Sequence, residues 1–314
     1  MNTYFSKPEF VSLLIQELGD PEARVFNSPG LSIVLSQQKG EPAFALDIWQ
    51  EAQIAQIDSI GHAVKLLKSQ GIFGYHKAFS HQGRGVLIQE TLRKVPDFNG
   101  IVFPIAPDIA PDVTGIKKLK KWGGFCLLDA HTLLFSKNVW KAIPGGVITF
   151  LENKNDPPNR AYLKLWEALT WWGVYPKPGD QCVDFGASPG GWSWVLSTFG
   201  AHVLAIDKAP LAPSLQRLTH IESRHVSAFS IKPGSLGALD WFVADIACYP
   251  ERLLPWIQAW IASHTLKRMI CTIKLQGAVD LKVIRAFQEI PHGRVIHLWH
   301  NKHELTFLWP ATPI

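Results

Sequence analysis

Asp184-Phe185-Gly186-Ala187-Ser188-Pro189-Gly190-Gly191-Trp192 is the stretch on which the reading of this chain turns. It follows an apolar segment, Gln181–Phe185, and opens an amphipathic one, Gly191–Thr198, so it reads as strand, glycine loop and helix start. Gly186 removes side-chain bulk where the chain must turn, while Gly190 and Gly191 let backbone approach a ligand and offer N–H donors at a helix start. The spacing is not G-x-G-x-x-G, and the Lys-Ser/Thr ending of a P-loop is absent. Beyond the next strand, His202–Ile206, stands Asp207, placed to accept both hydroxyls of a ribose. The order strand, loop, helix, strand, acid points to a nucleoside site. A plain glycine turn with a surface carboxylate, or a binder of another nucleoside ligand, stays open beside it.

Outward from this loop, strands and helices alternate. Leu163–Trp172 reads as a helix, Trp241–Ala244 as a strand, Pro250–Ser263 as a helix, Met269–Ile273 as a strand and Leu281–Glu289 as a helix. Val295–Trp299 and Leu305–Trp309 end the chain as strands, and their short connection near Asn301-Lys302 requires antiparallel neighbours. The fold class is α/β: a Rossmann-like, mostly parallel sheet with an antiparallel closing strand.

Upstream the pattern differs. Glu152-Asn153-Lys154-Asn155-Asp156-Pro157-Pro158 has no apolar anchor and reads as a linker, 152–158, between an N-terminal region, 1–151, and a C-terminal domain, 159–314. The N-terminal region shows short α+β elements compatible with a ferredoxin-like unit. Ser6 with Glu9 has capping-box spacing for a helix ending at Gly19, and strands are expected at Ala23–Phe26 and Leu31–Leu35. Ala43–Ile57 reads as partly extended, Ile60–Leu67 and Val86–Val95 as helices, and Ile101–Ile105, Phe125–Leu134 and Gly146–Leu151 as strands. Lys117, Lys118, Lys120 and Lys121, beside Trp122, form either a solvated face or a phosphate-contacting patch.

The 314 residues are 47% apolar and 18% charged with a net charge of +5, an ordinary globular balance with a modest basic excess. Cys126, Cys182, Cys248 and Cys271 lie far apart with no C-x-x-C pair, so buried thiols are expected rather than a disulfide framework or a metal site. No signal-peptide pattern and no apolar run long enough for a membrane span is visible, and a cytoplasmic location is expected. Ten of the 13 tryptophans fall after residue 150, where they serve as core filler or as stacking surfaces for bases.

The glycine loop resembles motif I of the FtsJ-type RNA ribose 2′-O-methyltransferases, with the RlmM-type large-subunit rRNA cytidine methyltransferases nearest in pattern. Asn159-Arg160-Ala161-Tyr162-Leu163-Lys164-Leu165 is similar to that family's helix before motif I. Trp241-Phe242-Val243-Ala244-Asp245 resembles its aspartate strand, Ile273-Lys274-Leu275 its second lysine and His303-Glu304-Leu305-Thr306 its glutamate. The resemblance implies a catalytic tetrad of Lys164, Asp245, Lys274 and Glu304. It implies S-adenosyl-L-methionine held by Asp184, Gly186, Ala187, Ser188, Pro189, Gly190, Gly191, Trp192, Asp207 and Asp245, and RNA, ribosomal RNA above all, as substrate. It further implies a THUMP-like RNA-docking module in the N-terminal half. Gln276 stands where these enzymes often have proline, and Ser227 where many have an acidic residue near the adenine.

The chemistry asks for such a set. A sulfonium is already primed for methyl transfer, whereas a sugar hydroxyl is protonated at neutral pH and needs a base or a cation for its developing alkoxide. Lys274 suits that role, with its amine pulled down by burial and by Lys164 and held up by Asp245 and Glu304. Two other readings remain: a methyltransferase acting on a small molecule or protein, and a non-catalytic RNA-binding protein on the same scaffold. Of the histidines, His225 and His297 are expected to be buried, and His300 and His303 to lie in an exposed loop.

Overall fold

The computed structural model describes residues 1–73, 75–92, 122–141 and 143–311. They fall into two compact units, one drawn from residues before 150 and the other running from Phe150 onward. The basic cluster Lys117–Lys121 and the strand expected at Ile101–Ile105 lie outside the described residues.

The first unit is α+β and holds two sheets. Strand β1 (Asn2–Ser6) leads through a single 3-10 turn into α1 (Val11–Leu18), followed by β2 (Arg24–Ser28), β3 (Leu31–Ser36) and β4 (Asp47–Gln50). Then come β5 (Gln53–Gln56), α2 (Ile60–Ser69), β6 (Tyr75–His76), α3 (Gln82–Leu92), β7 (Gly124–Leu127), β8 (Thr132–Ser136) and β9 (Asn138–Val139). One sheet has the order β2-β3-β1-β4-β9 with antiparallel neighbours. The other, β5-β8-β7-β6, carries α2 and α3 on an apolar core that includes Leu67, Ile88 and Phe125.

Three local expectations yield here to tertiary pairing. Ser6 caps no helix: it ends the central strand β1, between β3 and β4, and its hydroxyl donates to the Phe44 carbonyl at 2.9 Å. The helix still stops at Gly19, in the left-handed region at φ 65°. Phe125–Leu134 is a hairpin, not one strand, because Asp129 accepts the His131 N–H at 2.7 Å and turns the chain between β7 and β8. Gly146–Leu151 is not a strand either. Gly146 sits at φ +66°, where a Cβ would come 2.4 Å from the Leu46 carbonyl oxygen.

In the second unit the alternation expected from sequence is present almost element for element. The order is α4 (Tyr162–Trp172), β10 (Gln181–Phe185), α5 (Gly191–Thr198), β11 (His202–Ile206), the short α6 (Pro213–Gln216), β12 (Ile221–Arg224) and β13 (Trp241–Ala244). It continues with α7 (Pro250–Ala262), β14 (Met269–Lys274), α8 (Leu281–Gln288), β15 (Arg294–Ile296) and β16 (Glu304–Trp309). Only α6 and β12 were not foreseen, and β12 is an edge strand with little alternation of exposure to betray it.

The seven strands run β12-β11-β10-β13-β14-β16-β15. Those from β12 to β14 are parallel, and β16 is antiparallel to both β14 and β15. The chain winds outward from β10 to β12, then returns to β13 on the other side of β10. This is a topological switch point, where strand ends leave a crevice for ligands. Alternating side chains of β13 serve opposite faces: the Trp241 ring meets Trp172 of α4 at 5.6 Å, whereas Phe242 meets Trp256 and Trp260 of α7 at 5.3 and 5.2 Å. Most of the late tryptophans are buried core filler, Trp166, Trp194, Trp241 and Trp260 among them.

Trp260 is fully buried against Phe185 and Phe242, and its indole N–H has no hydrogen-bond partner. Trp260→Ala should therefore cost about 3–5 kcal/mol in denaturant unfolding. Trp260→Phe, which also removes the unsatisfied N–H, should cost less than about 2 kcal/mol. Equal losses would show that ring volume is not what holds α7 to the sheet.

Candidate active site

The rim at the switch point gathers four charged side chains. Asp245 follows β13 directly, Lys274 ends β14 and Glu304 begins β16. Because β16 runs antiparallel to β14, Lys274 and Glu304 are direct partners in register. Lys164 arrives from the first turn of α4. The four close a ring. Lys164 Nζ lies 2.6 Å from Asp245 Oδ2 and 3.0 Å from Glu304 Oε1, and Lys274 Nζ bridges Asp245 Oδ1 and Glu304 Oε2. Residues up to 140 positions apart in sequence thus meet on one rim.

Two cations and two anions sum to zero, which keeps a quartet with side chains only 7–20% exposed affordable despite desolvation. Burial alone would raise the Asp245 carboxyl, but Lys164 and then Lys274 outweigh it and hold its pKa at about 2. Burial is also the largest single influence on Lys274, pulling it down. Asp245 and Glu304 together overcome it and leave the ammonium above its ordinary value. Of the opposing influences expected from sequence, the two carboxylates win over burial in the free protein.

Thr272, which the sequence reading did not single out, donates its hydroxyl to Asp245 Oδ1 at 2.7 Å. Its signal was the two-residue period of β14, which puts Thr272 on the same face as Lys274.

The glycine loop turns beside this quartet. Gly186 is at φ +76°, and a Cβ there would lie 2.9 Å from the Asp245 carbonyl oxygen, so only glycine passes the end of β13 without strain. Asp207 shapes the loop, accepting the Ser188 N–H on Oδ2 at 3.1 Å and the Ala209 N–H on Oδ1 at 2.9 Å. Between these parts opens a cleft of about 460 Å³ bordered by Gly186, Ser188, Asp207, Ser227, Arg252 and Asp245. Phe229 also lines it, with the Arg252 guanidinium 3.9 Å above its ring.

Of the residues expected to hold a cofactor, Gly186, Ser188, Asp207 and Asp245 border this cleft. The others do not line it. The room left by Gly190, at φ +118°, is taken by Leu215, and that left by Gly191 by the Asn159 carboxamide, each within 2.2 Å of where a Cβ would be. The Trp192 indole is buried and donates to the Ala161 carbonyl at 2.9 Å, tying α5 to the start of α4. Ala187 is buried, and the Pro189 carbonyl accepts the Ala212 N–H at 2.9 Å. Asp184 is wholly buried, accepting the Ser193 hydroxyl at 2.7 Å. His297 is buried as expected, but His225 is exposed. His303 is exposed, whereas His300 is bonded to Glu167 at 2.7 Å with its side chain only 16% exposed.

Residues 157–302 match the family model described as FtsJ-like methyltransferase. Over 171 residues the chain is 32% identical to Ribosomal RNA large subunit methyltransferase M of Halorhodospira halophila, covering 52% of this chain and 50% of that one. Over 200 residues it is 30% identical to the protein of the same name from Xanthomonas axonopodis pv. citri, covering 58% and 57%. The chain thus spans about half the length of the curated relatives it matches. Among solved structures, a fibrillarin pre-rRNA processing protein of Methanococcus jannaschii aligns with TM-score 0.37 at 18% identity, covering 57% of this chain and 80% of that one. Among the described residues, no helix is long and apolar enough to cross a membrane and no cluster of metal-binding side chains occurs.

Beneath the glycine loop, burial pushes the Asp184 carboxyl up to about 7, against the lowering pull of the Ser193 hydroxyl. An unfolded aspartate titrates near 3.8, so the folded protein keeps a proton that the unfolded chain gives up. That stabilisation is complete at pH below the unfolded value and is lost as pH rises through about 7. Asp184→Asn should therefore lose less stability than wild type between pH 4.5 and 7.5, by about 2–4 kcal/mol in urea unfolding. Parallel curves for the two proteins would show Asp184 ionised throughout.

Proposed function

We propose that the protein transfers a methyl group from S-adenosyl-L-methionine to a ribose 2′-hydroxyl of RNA, ribosomal RNA above all. The observation that carries this reading is the closed quartet Lys164–Asp245–Lys274–Glu304 sharing Asp245 with the cleft at the glycine loop. The relatives' printed names, ribosomal RNA large subunit methyltransferase M, support the substrate class.

The donor set fits the cofactor. Gly186, Ser188, Asp207 and Asp245 line the cleft; in this reading Asp207 would take the ribose hydroxyls, Gly186 and Ser188 would lie along the chain joining sugar and sulfur, and Asp245 would face the charged end. Val226, Ser227 and Phe229, with Arg252 over the ring, would enclose the base. S-adenosylmethionine, when bound, supplies a methyl group on a sulfonium whose thioether leaves readily. What remains for the protein is to orient the acceptor hydroxyl and take its proton.

Lys274 is assigned that step. The carboxylates hold it as an ammonium in the free protein, and the neutral amine formed at higher pH or beside an added cation accepts the hydroxyl proton as the oxygen–methyl bond forms. Asp245 and Glu304 then stabilise the ammonium so produced, while Lys164 holds both carboxylates in place.

The first unit serves in this reading as the RNA-docking module, with Lys117, Lys118, Lys120 and Lys121 as phosphate contacts. Its strand order β2-β3-β1-β4, with α1 crossing between β1 and β2, supports a ferredoxin-like origin, and the sheet β5-β8-β7-β6 with α2 and α3 stands where a THUMP-like part is proposed. The four buried free thiols fit a cytoplasmic location.

The test is labelled S-adenosylmethionine with RNA from a strain lacking this methylation, followed by mapping of ribose methyl groups. Lys274→Ala should lose about 10²–10⁴-fold in transfer rate, with cofactor affinity changed by less than about threefold. The wild-type single-turnover rate should rise roughly tenfold per pH unit through neutral pH, as the neutral fraction of a high-pKa amine does. Label entering protein or small metabolites but never RNA would refute the reading, and a flat pH profile would strip Lys274 of the base role.

A further inference from the structure

The quartet leaves one buried carboxylate beside it without a task. Glu167 lies on α4, one turn after Lys164, and is wholly buried. Its Oε1 accepts the Trp171 indole N–H at 3.0 Å and the Trp299 backbone N–H at 2.8 Å. Its Oε2 accepts the His300 backbone N–H at 2.9 Å and bonds His300 Nδ1 at 2.7 Å. Trp299 and His300 belong to the irregular connection between β15 and β16. Next to them Asn301, also wholly buried, donates its amide to the Glu304 carbonyl and to the Thr306 hydroxyl, each at 3.0 Å. The His300 ring is further seated on Phe150, at 5.5 Å between centroids.

These contacts join the same two segments that carry Lys164 and Glu304. The need for such a tie follows from the topology. Asp245, Lys274 and Glu304 sit at the ends of neighbouring strands, so the hydrogen-bonded ladder β13-β14-β16 fixes their spacing. Lys164 alone comes from a helix, and no ladder sets its distance from the sheet. A two-oxygen acceptor one helical turn away, holding the backbone that leads into Glu304, supplies that missing constraint.

We propose that Glu167 is a positioning residue for methyl transfer: with His300 and Asn301 it fixes the distance between Lys164 and Glu304 and so keeps the quartet closed. This rests on the transferase reading above for its consequence in rate, but not for its consequence in structure. Glutamine at 167 keeps the volume yet sets an amide N–H₂ against donors that the carboxylate satisfied. The ring would loosen at its helical corner, and a displacement of about 1 Å there is enough to cost on the order of 10²-fold in rate.

The experiment compares wild type, Glu167→Gln, Glu167→Ala and His300→Ala. It measures single-turnover transfer, the KM for RNA, the Kd for S-adenosylmethionine and the ¹⁵N-lysine ammonium resonances, assigned with Lys164→Ala and Lys274→Ala. We expect Glu167→Gln to lower kcat by about 10–100-fold while KM and Kd stay within about threefold. The protected Lys164 ammonium signal should be lost and that of Lys274 kept. His300→Ala should act in the same direction with a smaller loss, and it decides the matter if the position-167 variants do not fold. A Glu167→Gln protein with wild-type kcat and both signals intact would overturn the proposal, as would equal losses in kcat, KM and Kd. If wild type methylates no RNA, the transferase reading fails, and the ammonium signals alone judge the brace.

Discussion

A lysine ammonium and a carboxylate each lose several kcal/mol of hydration when taken out of water, and a rim holding four such groups forms only if each finds its opposite. Lys164, Asp245, Lys274 and Glu304 do so by closing a ring in which every amine touches both acids. Removing any one member would leave its neighbours buried and uncompensated, so the quartet constrains the four segments that meet at it. The same constraint ties its electrostatics to its geometry: Asp245 stays ionised far into acid because two ammonium groups face it.

The sheet supplies most of that geometry. At the switch point between β10 and β13 the glycine loop and Asp245 come side by side, and Gly186 is required because its backbone passes the Asp245 carbonyl. Reversal of β16 brings the start of that strand, rather than its end, to the rim where β14 finishes, which makes Lys274 and Glu304 partners in register. An all-parallel sheet would have carried Glu304 to the opposite edge. The antiparallel closing strand is therefore a condition of the site and not a variation on the fold.

Around the quartet, polar groups that do no chemistry set positions. Thr272 holds Asp245, Asp207 holds the backbone of Ser188, Trp192 ties α5 to α4, and Asn159 fills the space that Gly191 leaves. The glycines at 190 and 191 thus answer to Leu215 and Asn159 as well as to the loop's turn. In the first unit the Asp47 carboxylate plays a comparable part, accepting N–H groups of Ile48, Lys141, Gly145 and the Trp49 indole while wholly buried.

The alternation of apolar runs from residue 163 onward was enough to place nearly every strand and helix of the second unit, because buried parallel strands are short unbroken apolar stretches and the helices between them are amphipathic. The candidate acids and lysines were legible as well, through motif resemblance at four separate places. The N-terminal half was harder. Ser6 and Glu9 carry a helix-start signal, yet Asn2–Ser6 forms a central strand because pairing with β3 and β4 satisfies its backbone on both sides. Tertiary structure alone decided which way Lys274 titrates, since that depends on the balance of burial against two carboxylates at contact distance. It alone revealed Glu167 as well, for a glutamate inside an apolar helix gives no hint, in one dimension, of the backbone N–H groups 132 and 133 residues later that fold back to meet it.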